Sequence, residues 1–163
     1  MLRLVLVLAL AGCGAAGIDF AQPAVDFTPA PEPDLGPTSI IAGVVEGGGF
    51  QALEAGDPLP IIHGFQGGRW IHVAMRVTGM RNRGRVRMVI DGVGTADYDI
   101  KMLRRSNLLE IFDLPIPVGR EPRRTDEEVD ALAGDSVTLE LSYTVGETTL
   151  SQELDLVLSL GEH

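Results

Sequence analysis

The stretch that decides the fold is Arg69-Trp70-Ile71-His72-Val73-Ala74-Met75-Arg76-Val77-Thr78. Apolar side chains recur there at every second position, namely Ile71, Val73, Met75 and Val77. Because successive side chains of an extended chain point to opposite sides, this period of two predicts a β-strand with one apolar face. Trp70 and His72 then lie on the opposite face. We expect this strand to be central in the protein.

The same alternation predicts strands on both sides of this one. The run 85–91 follows a segment with turn chemistry, 80–84, so we expect it to form a hairpin with 69–78. Near the end of the chain, 137–145 and 150–160 alternate in the same way around Gly146-Glu147 and predict a closing hairpin. Weaker strand patterns occupy 40–46, 59–65, 96–105 and 112–118.

One short helix interrupts the strands. Thr125-Asp126-Glu127-Glu128 fits a capping box, apolar Val129 and Leu132 follow it, and Gly134 supplies a stop. Seven to eight short strands, each with one apolar face, must pack face to face or close on themselves. The sequence therefore predicts an all-β, antiparallel β-sandwich with one short helix.

The end of the chain also resembles a known fold. The helical turn, the segment Ala133-Gly134-Asp135-Ser136-Val137-Thr138-Leu139 and the closing hairpin resemble the end of immunoglobulin-like β-sandwich domains of secreted bacterial proteins. The resemblance covers about the last 40 residues and, since the chain has one cysteine, is to the disulfide-free, fibronectin-like branch. It implies an antiparallel immunoglobulin-like β-sandwich of seven to eight strands.

The first residues have the layout of a signal peptide. Met1-Leu2-Arg3 gives a basic start, and an apolar run, 4–11, leads to Gly12-Cys13. At about 1.5 Å per residue, that run is too short to cross a hydrocarbon core of about 30 Å as a helix. We therefore expect this segment to be a cleaved leader and not a membrane span.

The residues before the cysteine resemble the lipobox of bacterial lipoproteins, with the sequence Leu10-Ala11-Gly12-Cys13. The resemblance implies that residues 1–12 are removed and that Cys13 is acylated and binds the lipid bilayer. In the Gram-negative lipoprotein family, Gly14 in place of Asp implies the cell outer membrane, on its periplasmic or surface face. Cleavage at Ala9-Leu10-Ala11, which would leave a free thiol, is the alternative.

A proline-rich segment follows the cysteine. Residues 14–38 contain five prolines and no basic residue, which is typical of an extended linker. We therefore divide the chain into a signal peptide at 1–12, the lipidated cysteine with its tether at 13–38, and one β-sandwich domain at 39–163.

The charge balance restricts the partners. The chain has 13 Lys and Arg against 23 Asp and Glu, a formal net charge of −10 and a pI of about 4.6. Binding to nucleic acid requires a basic face to neutralise phosphates, so nucleic acid is an unsuitable partner. An anionic lipid surface would also repel the domain, which fits a tether that holds it away from the membrane.

A candidate contact surface surrounds the only tryptophan. If Trp70 is exposed beside Phe65 and His72, it could bind a sugar ring or an envelope protein, because large aromatic side chains anchor interfaces. Packing of Trp70 under the glycine-rich loop is the alternative. The loop, Gly64-Phe65-Gln66-Gly67-Gly68, is similar to a segment of Gram-negative lipoproteins.

Metal-binding and catalytic patterns are weak. His63, His72 and His163 could hold a transition metal together with Met75 or Met88, but blue-copper chemistry also needs a thiolate. The acids Asp91, Asp97 and Asp99 surround a turn without the spacing of an EF-hand. An enzyme would require His63 or His72 to meet a carboxylate such as Asp91. We expect no catalytic residue, no metal and no cofactor.

The densest basic stretch is an arginine series on the predicted strand 85–91 and the turn before it, comprising Arg81, Arg83, Arg85 and Arg87, with Arg104 and Arg105 further on. It could bind an anion or an acidic glycan. Cross-strand pairing with Glu140 or Glu153 is the interpretation we favour.

Together these patterns predict a membrane-anchored envelope lipoprotein that acts as a non-catalytic binding or structural module. The alternatives are a periplasmic metal-binding protein and an enzyme with a His–carboxylate site.

Overall fold

A computed structural model describes residues 35–64, 68–120 and 123–161. These residues form ten strands and one helix, in the order β1 (Ser39–Glu46), β2 (Gly49–Ala52), β3 (Pro58–His63), β4 (Arg69–Thr78), β5 (Arg83–Ile90), β6 (Gly94–Lys101), β7 (Leu103–Arg105), β8 (Leu108–Val118), α1 (Asp126–Asp130), β9 (Ser136–Val145) and β10 (Thr148–Leu160).

The strands form one curled, mixed sheet with β4 at its branch point. On one side β4 pairs with β8 along its whole length, and β7 pairs with the outer edge of β8. On its other side the first half of β4 pairs with β3 and the second half with β1. From β3 the sheet continues through β10, β9 and β5 to β6.

The core fills the inside of this curl. The predicted inward residues of β4 are all fully buried, and they lie in one cluster with Met88, Leu139, Leu141 and Tyr143 from the opposite part of the sheet. Each large apolar side chain buried in this way contributes about 1.5–3 kcal/mol. The alternation in the sequence therefore identified the core face of β4.

Tyr98 connects the far end of the sheet to β8. It lies on β6, and its hydroxyl donates to the carbonyl oxygen of Pro115. Burial raises the pKa of this phenol, which keeps the hydroxyl available as a donor. At the start of β6, a Cβ on Gly94 would lie 2.4 Å from the carbonyl oxygen of Pro117, so only glycine permits this approach.

The all-β class and the single short helix are confirmed. Thr125 is the N-cap of α1, and its side chain accepts from the backbone N–H of Glu128 while the Glu128 carboxylate accepts from the backbone N–H of Thr125. These hydrogen bonds lower the pKa of Glu128. Val129 and Leu132 are buried, so the helix covers part of the core as its pattern predicted.

The strand count and the purely antiparallel arrangement were wrong. The described residues form ten strands and not seven or eight, because β2, of only four residues, was not predicted and the predicted strand 96–105 is broken at Met102. The backbone N–H of Met102 donates to the carbonyl oxygen of Asn82. In addition, β3 and β10 pair in parallel, from Pro58 opposite Val157 to Ile61 opposite Leu160.

The hairpin predicted from 69–78 and 85–91 was also wrong. β5 pairs with β6 and β9, whereas β4 pairs with β1, β3 and β8. Gly79 follows β4 at a φ of +69°, where a Cβ would lie 2.7 Å from the carbonyl oxygen of Pro37. The segment after Gly79 leads to β5, in the opposite part of the sheet.

Candidate functional site

The outside of the sheet around β4 presents a row of side chains that crosses four strands. The register places Ile41 of β1 opposite Arg76 of β4, Arg76 opposite Glu110 of β8, and Glu110 opposite Leu103 of β7. Side chains opposite one another in a sheet lie on the same face. We call the outward surface of β1, β2, β4, β7 and β8 the β4 outer face.

An ion pair lies at the centre of the β4 outer face. Arg76 Nε donates to Glu110 Oε1 over 2.7 Å, and Arg105 Nε lies 3.8 Å from Glu110 Oε2. Only 5% of Glu110 is exposed, although it is on the outside of the sheet. The guanidinium carbon of Arg76 also lies 4.3 Å from the ring centre of Phe50. Two arginines thus flank a buried carboxylate, and one of them also lies over an aromatic ring.

Exposed apolar side chains surround this ion pair. The exposed fractions are 38% for Ile41, 44% for Val45, 68% for Leu103 and 38% for Phe112. Single exposed apolar residues are ordinary, but a group of them on one face is typical of a contact surface.

A β-bulge brings Phe112 to this face. Between Val73 and Met75 the register with β8 shifts, so two residues of β8, Phe112 and Asp113, lie opposite Ala74 alone. Both bulge residues are exposed, in contrast to the inward Leu114. Bulges commonly redirect side chains in this way.

His72 is on the β4 outer face, as its position in the sequence predicted. Its Nδ1 lies 2.6 Å from Asp113 Oδ1, and both side chains are exposed. The bulge therefore also provides the carboxylate partner of this histidine.

Trp70 is on the same side of β4 and is half-buried. A Cβ on either Gly64 or Gly68 would lie 2.9 Å from the indole Nε1, so both glycines pack closely on the ring. The guanidinium carbon of Arg120 lies 5.2 Å from the ring centre. Phe65, the third residue of the predicted contact surface, lies outside the described residues, as does Cys13.

His63 is on the other face of the sheet. In the register it lies opposite Arg69, which has the parity of the core residues Ile71 and Val73. His63 Nε2 is 3.8 Å from Asp130 Oδ1, and Arg69 Nη2 donates to Asp130 Oδ2 over 3.1 Å. His63 and His72 therefore have separate carboxylate partners, and neither partner is Asp91.

Metal ligands do not cluster in the part of the chain that the structure describes, where no group of three or more His, Cys, Asp or Glu side chains could hold an ion. Of the acids around the turn, Asp97 accepts two hydrogen bonds from Arg85. Nε of Arg85 donates to Oδ1 and Nη2 donates to Oδ2, each over 2.6 Å. This ion pair lowers the pKa of the Asp97 carboxyl. His163 lies outside the described residues.

The arginine series pairs differently from the prediction. Arg85 pairs with Asp97 of the neighbouring strand, while Glu140 and Glu153 lie opposite each other on β9 and β10. Arg105 of β7 lies on the β4 outer face near Glu110, whereas Arg104, opposite the core residue Leu109, donates to the carbonyl oxygen of Met80. The series is thus divided between two surfaces of the domain.

The sequence pattern did not predict most of the side chains on the β4 outer face. The segment Ile40-Ile41-Ala42-Gly43-Val44-Val45 is apolar at both parities, so alternation could not tell which side chains face outward. That doubled pattern was nevertheless a signal that both faces of β1 are apolar. Nothing in the sequence indicated that Glu110 is buried beside Arg76.

Comparisons with known proteins give little further information. No family model matches the chain, and no curated protein matches it. Among solved structures, the chain is similar to the CooA pilin subunit from enterotoxigenic Escherichia coli, with 8% identity over 75% of this chain and 99% of that chain and a TM-score of 0.32. At that TM-score the similarity assigns neither fold family nor function.

Among the described residues, no helix has the length and apolar character needed to cross a membrane.

Proposed function

We propose that the chain is a lipid-anchored lipoprotein of the cell outer membrane, whose β domain is a non-catalytic module that binds an envelope protein through the β4 outer face. The observation that carries the binding role is the group of exposed apolar side chains around the Arg76–Glu110 ion pair. The anchor is the acylated Cys13, and residues 13–38 are the tether.

The chemistry of the face favours a protein partner over a glycan. Apolar side chains such as Val45, Leu103 and Phe112 gain free energy when a partner removes them from water, at about 25 cal/mol per Å². Arginines beside aromatic rings, as Arg76 is beside Phe50, are common at the centres of protein interfaces. A sugar platform would need an open aromatic ring, whereas the ring of Trp70 is covered by Arg120.

The sequence before Cys13 supports the anchor. A basic start, a short apolar run and Leu10-Ala11-Gly12-Cys13 together fit the lipobox, and the cysteine is the only one in the chain. Each buried methylene contributes about 0.8 kcal/mol, so two or three acyl chains would hold the protein on a bilayer. The net charge of −10 suits a domain that is tethered at a distance from anionic lipid.

We also propose that the curled sheet is a distant, irregular form of the immunoglobulin-like β-sandwich. What supports this is the long β9–β10 hairpin and the shared core of its two opposed parts, β4 with β8 and β5 with β9. The parallel β3–β10 pair is a departure from that fold.

Site-specific photo-crosslinking in intact cells tests the binding role. A photoreactive phenylalanine replaces Val45, Leu103 or Phe112 in separate variants, with Leu160 as the matched control because it is 52% exposed but lies on β10. We expect the same crosslinked envelope protein from the positions on the β4 outer face and not from Leu160. Equal products from all four positions, or none from any, would refute the proposed contact surface.

A further inference from the structure

A second surface of the domain is mostly polar and carries an unusual arrangement of charges. It is the outward side of β6, β5, β9 and β10, four strands that are neighbours in that order. We call it the bipolar face, because its two ends carry charges of opposite sign.

The basic end consists of two cations that face each other. Arg83 of β5 lies directly opposite Lys101 of β6, and both are exposed. The neighbouring pair, Asn82 and Met102, is joined by a backbone hydrogen bond. In an antiparallel ladder, hydrogen-bonded and non-hydrogen-bonded pairs alternate, so Arg83 and Lys101 form a non-hydrogen-bonded pair. The two side chains of such a pair lie closer together than those of a hydrogen-bonded pair. Two like charges are thus held side by side.

The acidic end repeats this arrangement with the opposite sign. Glu140 of β9 lies directly opposite Glu153 of β10, and both are exposed. Like charges opposite each other in a sheet are destabilising. None of the four side chains makes an ion pair with another described residue. The fold therefore gains nothing from either charged pair.

The two charged pairs are too far apart to neutralise each other. From Arg83 to Val89, the residue opposite Glu140, the strand advances six residues. At about 3.4 Å per residue the charged pairs are separated by roughly 20 Å along the strands. The Debye length is only about 8 Å at physiological ionic strength, so the two charged pairs are largely screened from each other.

Short hydroxyl side chains occupy the middle of the bipolar face on β9 and β10, whereas on β5 and β6 the middle carries Arg85 and Arg87 opposite Asp99 and Asp97, two cations against two anions. Thr144 and Thr149 are joined by a hydrogen bond of 2.9 Å, and Ser142 lies opposite Ser151. At the basic end, Arg83, Arg85 and Lys101 line a cleft of about 440 Å³ together with one acid, Asp99, which leaves the cleft with a net positive charge. The short side chains on β9 and β10 and the open cleft allow carboxylates of a partner to approach the cations.

We propose that the bipolar face binds a second copy of this chain. A two-fold axis in the plane of the contact exchanges the ends of the face, so the Arg83–Lys101 pair of each copy meets the Glu140–Glu153 pair of the other. Charge complementarity is the argument for this partner, because the face is complementary to itself. A polyanion would be attracted to the basic end but repelled by Glu140 and Glu153 at the acidic end, whereas a second copy offers a matching charge to each end.

The size of the face determines the strength of the dimer. Four strands at about 4.8 Å spacing and roughly 25 Å of strand length give roughly 500 Å² per copy. Stable interfaces bury about 800 Å² per partner, so this dimer is weak and reversible.

Sedimentation of the full mature chain carrying Cys13→Ser tests the proposal. At about 200 μM the parent chain should associate reversibly, whereas R83E/K101E and E140K/E153K should each bind themselves at least about tenfold more weakly. A 1:1 mixture of these two variants should associate again, and so should the fourfold variant. E46K/E54K, which changes the net charge by the same amount as E140K/E153K outside this face, should behave as the parent.

Renewed association of the two mixed variants would show that the opposite charges of the two ends cause the binding. Since all four side chains are exposed, the variants should keep the circular dichroism spectrum of the parent chain. A monomeric parent chain, association that survives the single-end reversals, or a mixture that fails to associate would each overturn the proposal. The experiment does not involve the acyl anchor or the β4 outer face, so its failure leaves the proposed function intact.

Discussion

Replacing Arg76 by leucine should destabilise the domain strongly. The change leaves the Glu110 carboxylate, which is 5% exposed, with Arg105 at 3.8 Å as its remaining cation. Removing one partner of a buried ion pair costs about 3–5 kcal/mol. We expect about 3 kcal/mol, the low end, because Arg105 remains and the Arg76 side chain is 37% exposed. The melting temperature should fall by roughly 6–12 °C.

The assay is urea unfolding of the full mature chain with Cys13→Ser, measured for R76L, E110L and R76L/E110L. Because the double variant leaves no buried charge, we expect it to be within about 1 kcal/mol of the parent chain. The reasoning is refuted if R76L costs less than about 1 kcal/mol, or if the double variant loses as much as the sum of the single variants.

Two further predictions concern the packing inside the fold. A Cβ on Gly43 would lie 2.3 Å from a backbone oxygen of β2, so Gly43→Ala should lower the free energy of unfolding in urea by about 2–3 kcal/mol. Gly49→Ala is the control, because the nearest atom to a Cβ there is 3.8 Å away. An equal loss of stability in both variants would contradict this account. Burial raises the pKa of Tyr143 to about 12 from its ordinary value of 10.0, so the unfolded chain loses this proton first and stability falls as pH rises from 10 to 12. Tyr143→Phe should reduce the difference in unfolding free energy between pH 9 and pH 11.5, and an unchanged difference would show that other groups cause it.

Alternation in the sequence predicted which side chains face the core, because the period of two is a property of each strand alone. Ile71, Val73, Met88 and Leu141 are all buried as expected. The capping box likewise predicted α1, since its hydrogen bonds are local.

Alternation does not identify the neighbour of a strand. The β5 strand could present the same apolar face to the core beside β4 or beside β9, and only the three-dimensional packing selects β9. The parallel pairing of β3 with β10 joins strands almost 100 residues apart, which no local pattern records.

The candidate surfaces were partly predictable for the same reason. Parity placed Trp70 and His72 outward, whereas the pairing of Arg76 with Glu110 and of His72 with Asp113 depends on the register and the bulge in β8. The bipolar face also depends on long-range pairing, because only the sheet order places the β9–β10 hairpin beside β5, and so Glu140 on the same face as Arg83.

The most direct test of the proposed function is metabolic labelling of cells with a radioactive fatty acid, followed by separation of membrane and aqueous fractions. The native chain should carry label and sediment with the outer membrane, while Cys13→Ser should be unlabelled and enter the aqueous fraction. If both proteins are unlabelled and equally free in the aqueous fraction, the chain is not a lipoprotein and the proposed anchor is wrong.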